Sequence, residues 1–147
     1  DVLEYALFEF KEKVEESSLE FNLNIEDKKI KKSNINYKKM IRVFHNLISN
    51  ILKYSEGNSK VYIKLEQEES VDFIKGYYTR VTFKNTSANE ITIKGEELIE
   101  RFRRGDSSRN TEGSGLGLNI AKSLMELQGG ELKVNVYGKE FIVDVII

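Results

Sequence analysis

Asn46, Asn50 and Lys53 follow one another at intervals of four and three residues, the spacing that stacks side chains on one face of an α-helix. Asparagine is an indifferent helix former, so two of them one turn apart need a reason. An amide carbonyl can ligate a hard cation such as Mg²⁺. Lys53 would offer positive charge to a phosphate, and the adjoining Tyr54 an aromatic face to a base. The same pattern also suits a plain solvated helix side. A second candidate lies nearer the C-terminus, where six of the ten glycines (Gly105, Gly113, Gly115, Gly117, Gly129 and Gly130) are gathered. Gly113-Ser-Gly115-Leu-Gly117-Leu118 opens a helical pattern. Loop glycines turn successive N–H groups into one concavity and the helix N-terminus adds its positive dipole end, which together make a phosphate cradle. It is not the dinucleotide fingerprint, because position 118 is Leu and the preceding segment is polar. It is not a Walker loop either, since no Gly-Lys-Ser/Thr closes it. The alternative is a flexible loop before an ordinary helix start.

The elements that must hold these residues follow from periodicity. Residues 2–16 read as an amphipathic helix on Leu3, Leu7, Phe10 and Val14. Leu19, Phe21, Leu23 and Ile25 alternate with polar residues as a half-buried strand, and the polar run 26–36 reads as a loop. The best helix runs from Tyr37 to Tyr54, with Tyr37, Met40, Ile41, Phe44, Leu47, Ile48, Ile51 and Leu52 on its apolar stripe. Arg42, His45, Asn46, Ser49, Asn50 and Lys53 fall on the other side. Val61–Leu65 and Tyr78–Phe83 read as strands, then come a connector, a short helix at 96–102 and the apolar-poor stretch 103–114. Leu116 to Leu127 reads as a helix stopped by Gly129-Gly130, and a closing hairpin turns near Gly138. Because the last strands form a hairpin, the pattern predicts a mixed sheet covered on one face, not a parallel Rossmann sheet.

Composition narrows the chemistry. The 147 residues suit one domain, and no cysteine and one histidine, His45, leave little basis for a disulfide, a zinc site or a Ser-His-Asp constellation. Charges number 23 Lys+Arg against 24 Asp+Glu, a net of −1, so charge gives no argument for a nucleic-acid or membrane-surface partner. The chain opens on Asp without a signal-like segment, so it is expected to begin in mid-protein or after processing, and it shows no apolar run of membrane-spanning length.

Arg42 to Ser55, spelled RVFHNLISNILKYS, resembles the N box of sensor histidine kinases. Glu100 to Asp106, ERFRRGD, resembles their F box, and Gly113 to Leu118 their second glycine box. The order is right and the match spans nearly the whole chain. By this resemblance the chain is identified as the ATP-binding catalytic domain of a two-component histidine kinase, of the gyrase/Hsp90/histidine-kinase/MutL superfamily. The resemblance implies an α+β Bergerat-type fold: a two-layer sandwich of a mixed, mostly antiparallel sheet of about five strands, covered on one face by about three helices, with a flexible ATP lid. Residues 1–16 would follow a missing dimerisation and phosphoacceptor region, and 17–147 would be the catalytic domain.

Carried over by motif, Asn50 becomes the Mg²⁺ ligand bridging to the triphosphate, Lys53 a phosphate contact and Tyr54 an adenine neighbour. Asn46 stands where ATP-hydrolysing relatives place a glutamate base, and an amide cannot deprotonate water. That suits an enzyme passing its γ-phosphoryl group to a protein histidine. Residues 103–114 become the lid, anchored by Phe102. Gly113, Gly115, Leu116, Gly117 and Leu118 would lie at the phosphates, with Arg104 and Arg109 as candidate charge contacts. The acceptor histidine belongs to an upstream dimerisation domain of a homodimeric parent, so His45 is read as an incidental neighbour. The implied cofactors are ATP and Mg²⁺, and the implied downstream partner is a response regulator. No nucleic-acid partner is expected. The domain would be cytoplasmic and its parent a bacterial plasma-membrane sensor.

One motif departs from the pattern. The first glycine box (D-x-G-x-G) should follow a strand, yet here the strand ends Phe83-Lys84-Asn85-Thr86-Ser87. Asn85 is the best match for the aspartate, with an amide oxygen that accepts from the adenine amine without charge and hence more weakly. Three other readings stay open: a degenerate nucleotide-binding or docking module, an anti-sigma-factor-type serine kinase of the same fold, and a plain α/β domain.

Overall fold

The structure is a computed structural model, and it describes residues 2–26, 33–69, 76–92, 94, 95, 97–99 and 116–147. Its elements, in order, are α1 (Val2–Glu9), α2 (Lys11–Glu16), β1 (Glu20–Ile25), α3 (Tyr37–Tyr54), β2 (Lys60–Glu69), β3 (Tyr77–Thr86), α4 (Leu116–Glu126), β4 (Glu131–Tyr137) and β5 (Glu140–Ile146). The strands form one five-stranded sheet in the order β1-β2-β3-β5-β4, leaving β1 and β4 as its edges. β1 pairs with β2 in parallel, and every other pairing is antiparallel. This is the expected mixed sheet, and its single parallel step is bridged by α3.

Alternation along the strands sends Val61, Ile63, Val81, Phe83, Leu132, Val134, Val143 and Val145 into one buried layer. Met40, Val43, Phe44, Leu47, Ile48 and Ile51 of α3 and Leu118, Ala121 and Met125 of α4 complete that core. α1 adds Leu3 and Ala6 to the same cluster. The other sheet face is a lattice of polar pairs. Lys84 meets Glu140, Tyr78 donates to Glu68, and Thr82 Oγ1 donates to Asp144 Oδ1 at 2.6 Å. The Glu68 carboxylate holds the Tyr78 hydroxyl above its ordinary pKa, because an accepting anion stabilises the protonated phenol.

α3 has the bounds its periodicity predicts, and it starts where Asn36 accepts a cap bond from the Lys39 N–H at 3.1 Å. Its buried stripe is turned slightly from the expected one. Val43 is fully buried, whereas Tyr37 is half exposed at the first turn, where its ring meets Tyr5 of α1 with centroids 6.2 Å apart. α4 ends in a Schellman motif. Gly129 N–H donates to Glu126 and Gly130 N–H to Met125, both at 3.0 Å, and Gly129 takes φ 71°, which a residue with a Cβ adopts only with strain.

Two expectations needed correction in detail. Residues 2–16 form two helices rather than one, broken at Phe10 (φ −95°, ψ 3°), whose ring packs edge-on against His45. β2 runs well beyond its alternating apolar stretch, through Glu66, Gln67, Glu68 and Glu69, which pair with Arg80, Thr79, Tyr78 and Tyr77 of β3. The added residues of β2 are polar and give no apolar alternation, and side-chain bonds such as Gln67 Nε2 to Thr79 Oγ1 at 3.1 Å join the backbone pairing there. Residues 97–99 are helical, within the expected short helix. Its remaining residues and the expected lid, 103–114, lie outside the described residues.

Candidate functional site

The buried layer does not close at one end of the sheet. Between α3, the end of β3, β5 and the start of α4 lies a cavity enclosing about 810 Å³ of space, its open mouth included. Its apolar walls come from Leu47 and Ile51 of α3, Phe83 of β3, Phe141 and Val143 of β5, and Leu118 of α4, with Ile91 and Leu98 from the connector. Its polar lining consists of Asn50, Tyr54, Asn85 and Ser87 among the described residues. A mostly apolar cleft with a few placed polar groups is what a small organic ligand needs.

Asn85 is placed by the two-residue repeat of β3. Thr79, Val81, Phe83, Asn85 and Ser87 all point to the helix side, so the row that builds the core continues as polar residues at the cavity. Asn85 is only 4% exposed, and its Nδ2 donates to Ser55 Oγ at 2.8 Å. Ser55 is brought there by a short antiparallel bridge to Ser87. Glu56 N–H donates to Thr86 O at 2.8 Å, and Ala88 N–H to Tyr54 O at 2.9 Å. The end of α3 is thereby tied to the end of β3, with Tyr54, Ser55, Asn85 and Ser87 at one corner of the cavity.

The opposite corner belongs to α3 and the first turn of α4. A Cβ built on Gly117 would stand 3.4 Å from Asn50 Oδ1 and 3.5 Å from Nδ2. A Cβ at this position would thus come into ordinary van der Waals contact with the Asn50 amide, and glycine leaves that space open. One turn back, Asn46 Nδ2 is buried and has no hydrogen-bond partner among the described residues, an arrangement that costs folding free energy and that polar ligand atoms could relieve. Lys53 does not line the cavity; its Nζ lies 5.5 Å from the centroid of the Tyr54 ring.

The sequence candidates therefore divide. Asn50, Tyr54, Asn85 and Leu118 line one cavity, Gly117 abuts Asn50, and Asn46 and Lys53 stand beside it. Leu116 is the first residue of α4. Phe102, Arg104, Arg109, Gly113 and Gly115 lie outside the described residues. Reasoning from sequence missed Ser55, Ser87 and Phe141. The continued alternation from Phe83 through Asn85 signals Ser87, whereas Ser55 and Phe141 depend on long-range pairing. His45 is not incidental to the fold: its Nε2 lies 2.5 Å from Glu9 Oε2, so it joins α3 to α1 on the side away from the cavity.

Residues 35–146 match the family model described as histidine kinase-, DNA gyrase B-, and HSP90-like ATPase. The chain belongs to this ATPase family. Among curated relatives, it is 40% identical over 103 residues to the probable sensor protein PcoS of Escherichia coli, covering 69% of this chain and 21% of that protein. It is 33% identical over 146 residues to the sensor protein VanSC of Enterococcus gallinarum, covering 98% of this chain and 38% of that protein. The chain thus spans well under half the length of these relatives. The catalytic domain of histidine kinase ThkA superposes with a TM-score of 0.77 at 21% identity, covering 99% of this chain and 89% of that one. The mycobacterial sensor histidine kinase MprB gives 0.74 at 18% identity, covering 99% and 91%. These two likenesses show the fold. Among the described residues no helix is long and apolar enough to cross a membrane.

Proposed function

We propose that this domain binds Mg–ATP in the cavity and passes the γ-phosphoryl group to a histidine on a dimerisation domain of the same parent protein. The observation that carries this reading is the meeting of Asn50 with Gly117 at the mouth of a cleft whose far corner holds Asn85. The base would enter between Phe83, Ile51 and Tyr54, its amino group reaching the Asn85 amide. The phosphates would lie toward Asn50, Gly117 and the start of α4, where backbone N–H groups are free to donate. Lys53 would add charge beside them, and Arg104, Arg109, Gly113 and Gly115, with Phe102 as lid anchor, complete the proposed set. Asn50 Oδ1 suits a hard cation shared with substrate oxygens, since the described residues hold no carboxylate–histidine cluster that would cage one alone. Bound there, Mg²⁺ would neutralise charge developing on the triphosphate.

In the transfer, the bond between the γ-phosphorus and the bridging oxygen breaks, a bond to the acceptor imidazole nitrogen forms, and ADP leaves. Asn46 stands on the polar side of α3 without a group that takes a proton from water, so the site favours a nucleophile that needs no such base. The names of the relatives support a sensor parent; it would be a membrane protein with this domain on its cytoplasmic side, residues 1–16 leading in from the dimerisation region and 17–147 binding the nucleotide. A homodimeric parent and a response regulator complete the proposal. Transfer of labelled phosphate from ATP to the parent's histidine domain tests it. Wild type should label the acceptor, and equal labelling by Asn50→Ala would remove Asn50 from the mechanism.

The uncharged Asn85 favours a second reading, a non-catalytic module with a weakened pocket. ATP titration separates the two: the kinase reading requires binding at or below millimolar nucleotide, and a complete absence of binding leaves only the docking module.

A further inference from the structure

The corner of the cavity that reads the base holds Asn85, Ser55 and Ser87 and no charged side chain among its described lining residues. Each of these three groups both donates and accepts hydrogen bonds. A carboxylate at position 85 would be a committed acceptor, matched to the 6-amino group of adenine and repelling a 6-oxo group. An amide has no such commitment. With Oδ1 toward the base it accepts from the adenine 6-amino group and its Nδ2 side can donate to N1. Turned over by 180°, the same amide donates to the 6-oxo oxygen of hypoxanthine or guanine and accepts from N1–H.

Turning the amide over requires that its partner on the protein side tolerate the exchange. That partner is the Ser55 hydroxyl, 2.8 Å from Asn85 Nδ2. A hydroxyl accepts from Nδ2 in one orientation and, after rotating its own proton, donates to Oδ1 in the other. Neither orientation leaves a buried polar atom unpaired, so neither carries the cost that ordinarily enforces selectivity in a buried site. The apolar walls of Ile51, Phe83 and Phe141 contact the faces and edges of any purine without regard to its 6-substituent.

Resting on the nucleotide reading above, we infer that this site is a two-way purine reader, taking 6-oxopurine nucleoside triphosphates as well as ATP, with Asn85 as the residue that sets this breadth. The direct test uses inosine triphosphate, which presents the 6-oxo and N1–H edge of guanine without its 2-amino group and so isolates the edge that Asn85 meets. Dissociation constants for ATP and ITP, each with Mg²⁺, are measured on the wild-type domain and on Asn85→Asp. The wild type is expected to hold ITP within about tenfold of ATP, and Asn85→Asp to widen the gap by about tenfold or more, because a carboxylate facing the 6-oxo group leaves both without a donor. Asn85→Asp keeps its partner, since the Ser55 hydroxyl can donate to the new carboxylate. A wild-type gap above about tenfold, or a gap that Asn85→Asp leaves unchanged, overturns the inference while the ATP-binding reading stands. Failure of the wild type to bind either nucleotide at millimolar concentration overturns both.

Discussion

The two ends of the cavity are built on different terms. At the end proposed for the base the polar groups are satisfied by the fold itself: Asn85 is bonded to Ser55, the end of α3 is bridged to the end of β3, and Phe83 beneath them is fully buried. At the end proposed for the phosphates the fold leaves work undone: Asn46 Nδ2 has no hydrogen-bond partner among the described residues, and Asn50 faces Gly117. The base end is thus an extension of the core that happens to be hollow. The phosphate end is a surface kept open at some cost in stability, as functional sites commonly are.

That contrast predicts different consequences for substitutions at each end. Phe83→Ala should have the largest effect and should act on stability, lowering the unfolding free energy by about 3–5 kcal/mol in a denaturant titration. A loss under about 1 kcal/mol would mean that the base end is not core. Asn50→Ala should do the reverse. Phosphoryl transfer should fall by about 100-fold, in the range seen when one electrostatic stabiliser is removed, while the denaturation midpoint stays close to wild type. Gly117→Ala sharpens the comparison because its two effects should oppose each other. A helical Gly→Ala change gains about 0.5–1 kcal/mol of stability, but the new methyl would fill space beside the Asn50 amide where the phosphates are proposed to lie, and ATP affinity should fall by about tenfold. Stability and affinity moving together would break the distinction between the two ends. His45→Ala should be smallest: it removes the contact with Glu9, worth about 1 kcal/mol or less at this exposure, and leaves the ATP dissociation constant unchanged.

What could be read beforehand follows the range of the forces involved. α3 was legible because its stripe is periodic, and the Asn36 cap confirms where it starts. Gly129-Gly130 was legible as a stop because the Schellman motif is local. Asn85 was legible through the resemblance, as the best match for the aspartate of the first glycine box, and the alternation of β3 turns it to the cavity. The break at Phe10 was not, since it accompanies a ring contact with His45, far along the chain. Nor was the outer half of β2, where Glu66 to Glu69 show no apolar alternation. Gly95 passed unnoticed for the same reason: a Cβ there would stand 2.1 Å from the carbonyl oxygen of Val134, a neighbour that only the folded sheet supplies. Cation and phosphate chemistry for Asn46, Asn50 and Lys53 was readable in their spacing, the resemblance made the roles specific, and the fold adds that Asn50, not Lys53, faces the cavity.

The sheet has two edges, and each carries charge. β4 sets Glu131 against Lys133 with 3.2 Å between their charged atoms, and β1 sets Glu20 against Lys60 of β2 at 3.8 Å. An edge strand offers unpaired N–H and C=O groups to any other extended chain, and charged side chains along it make such an approach unfavourable. The open margins of this sheet are therefore guarded against strand-to-strand aggregation, so the site can lie at one end of the sheet while its edges stay exposed to a crowded solution.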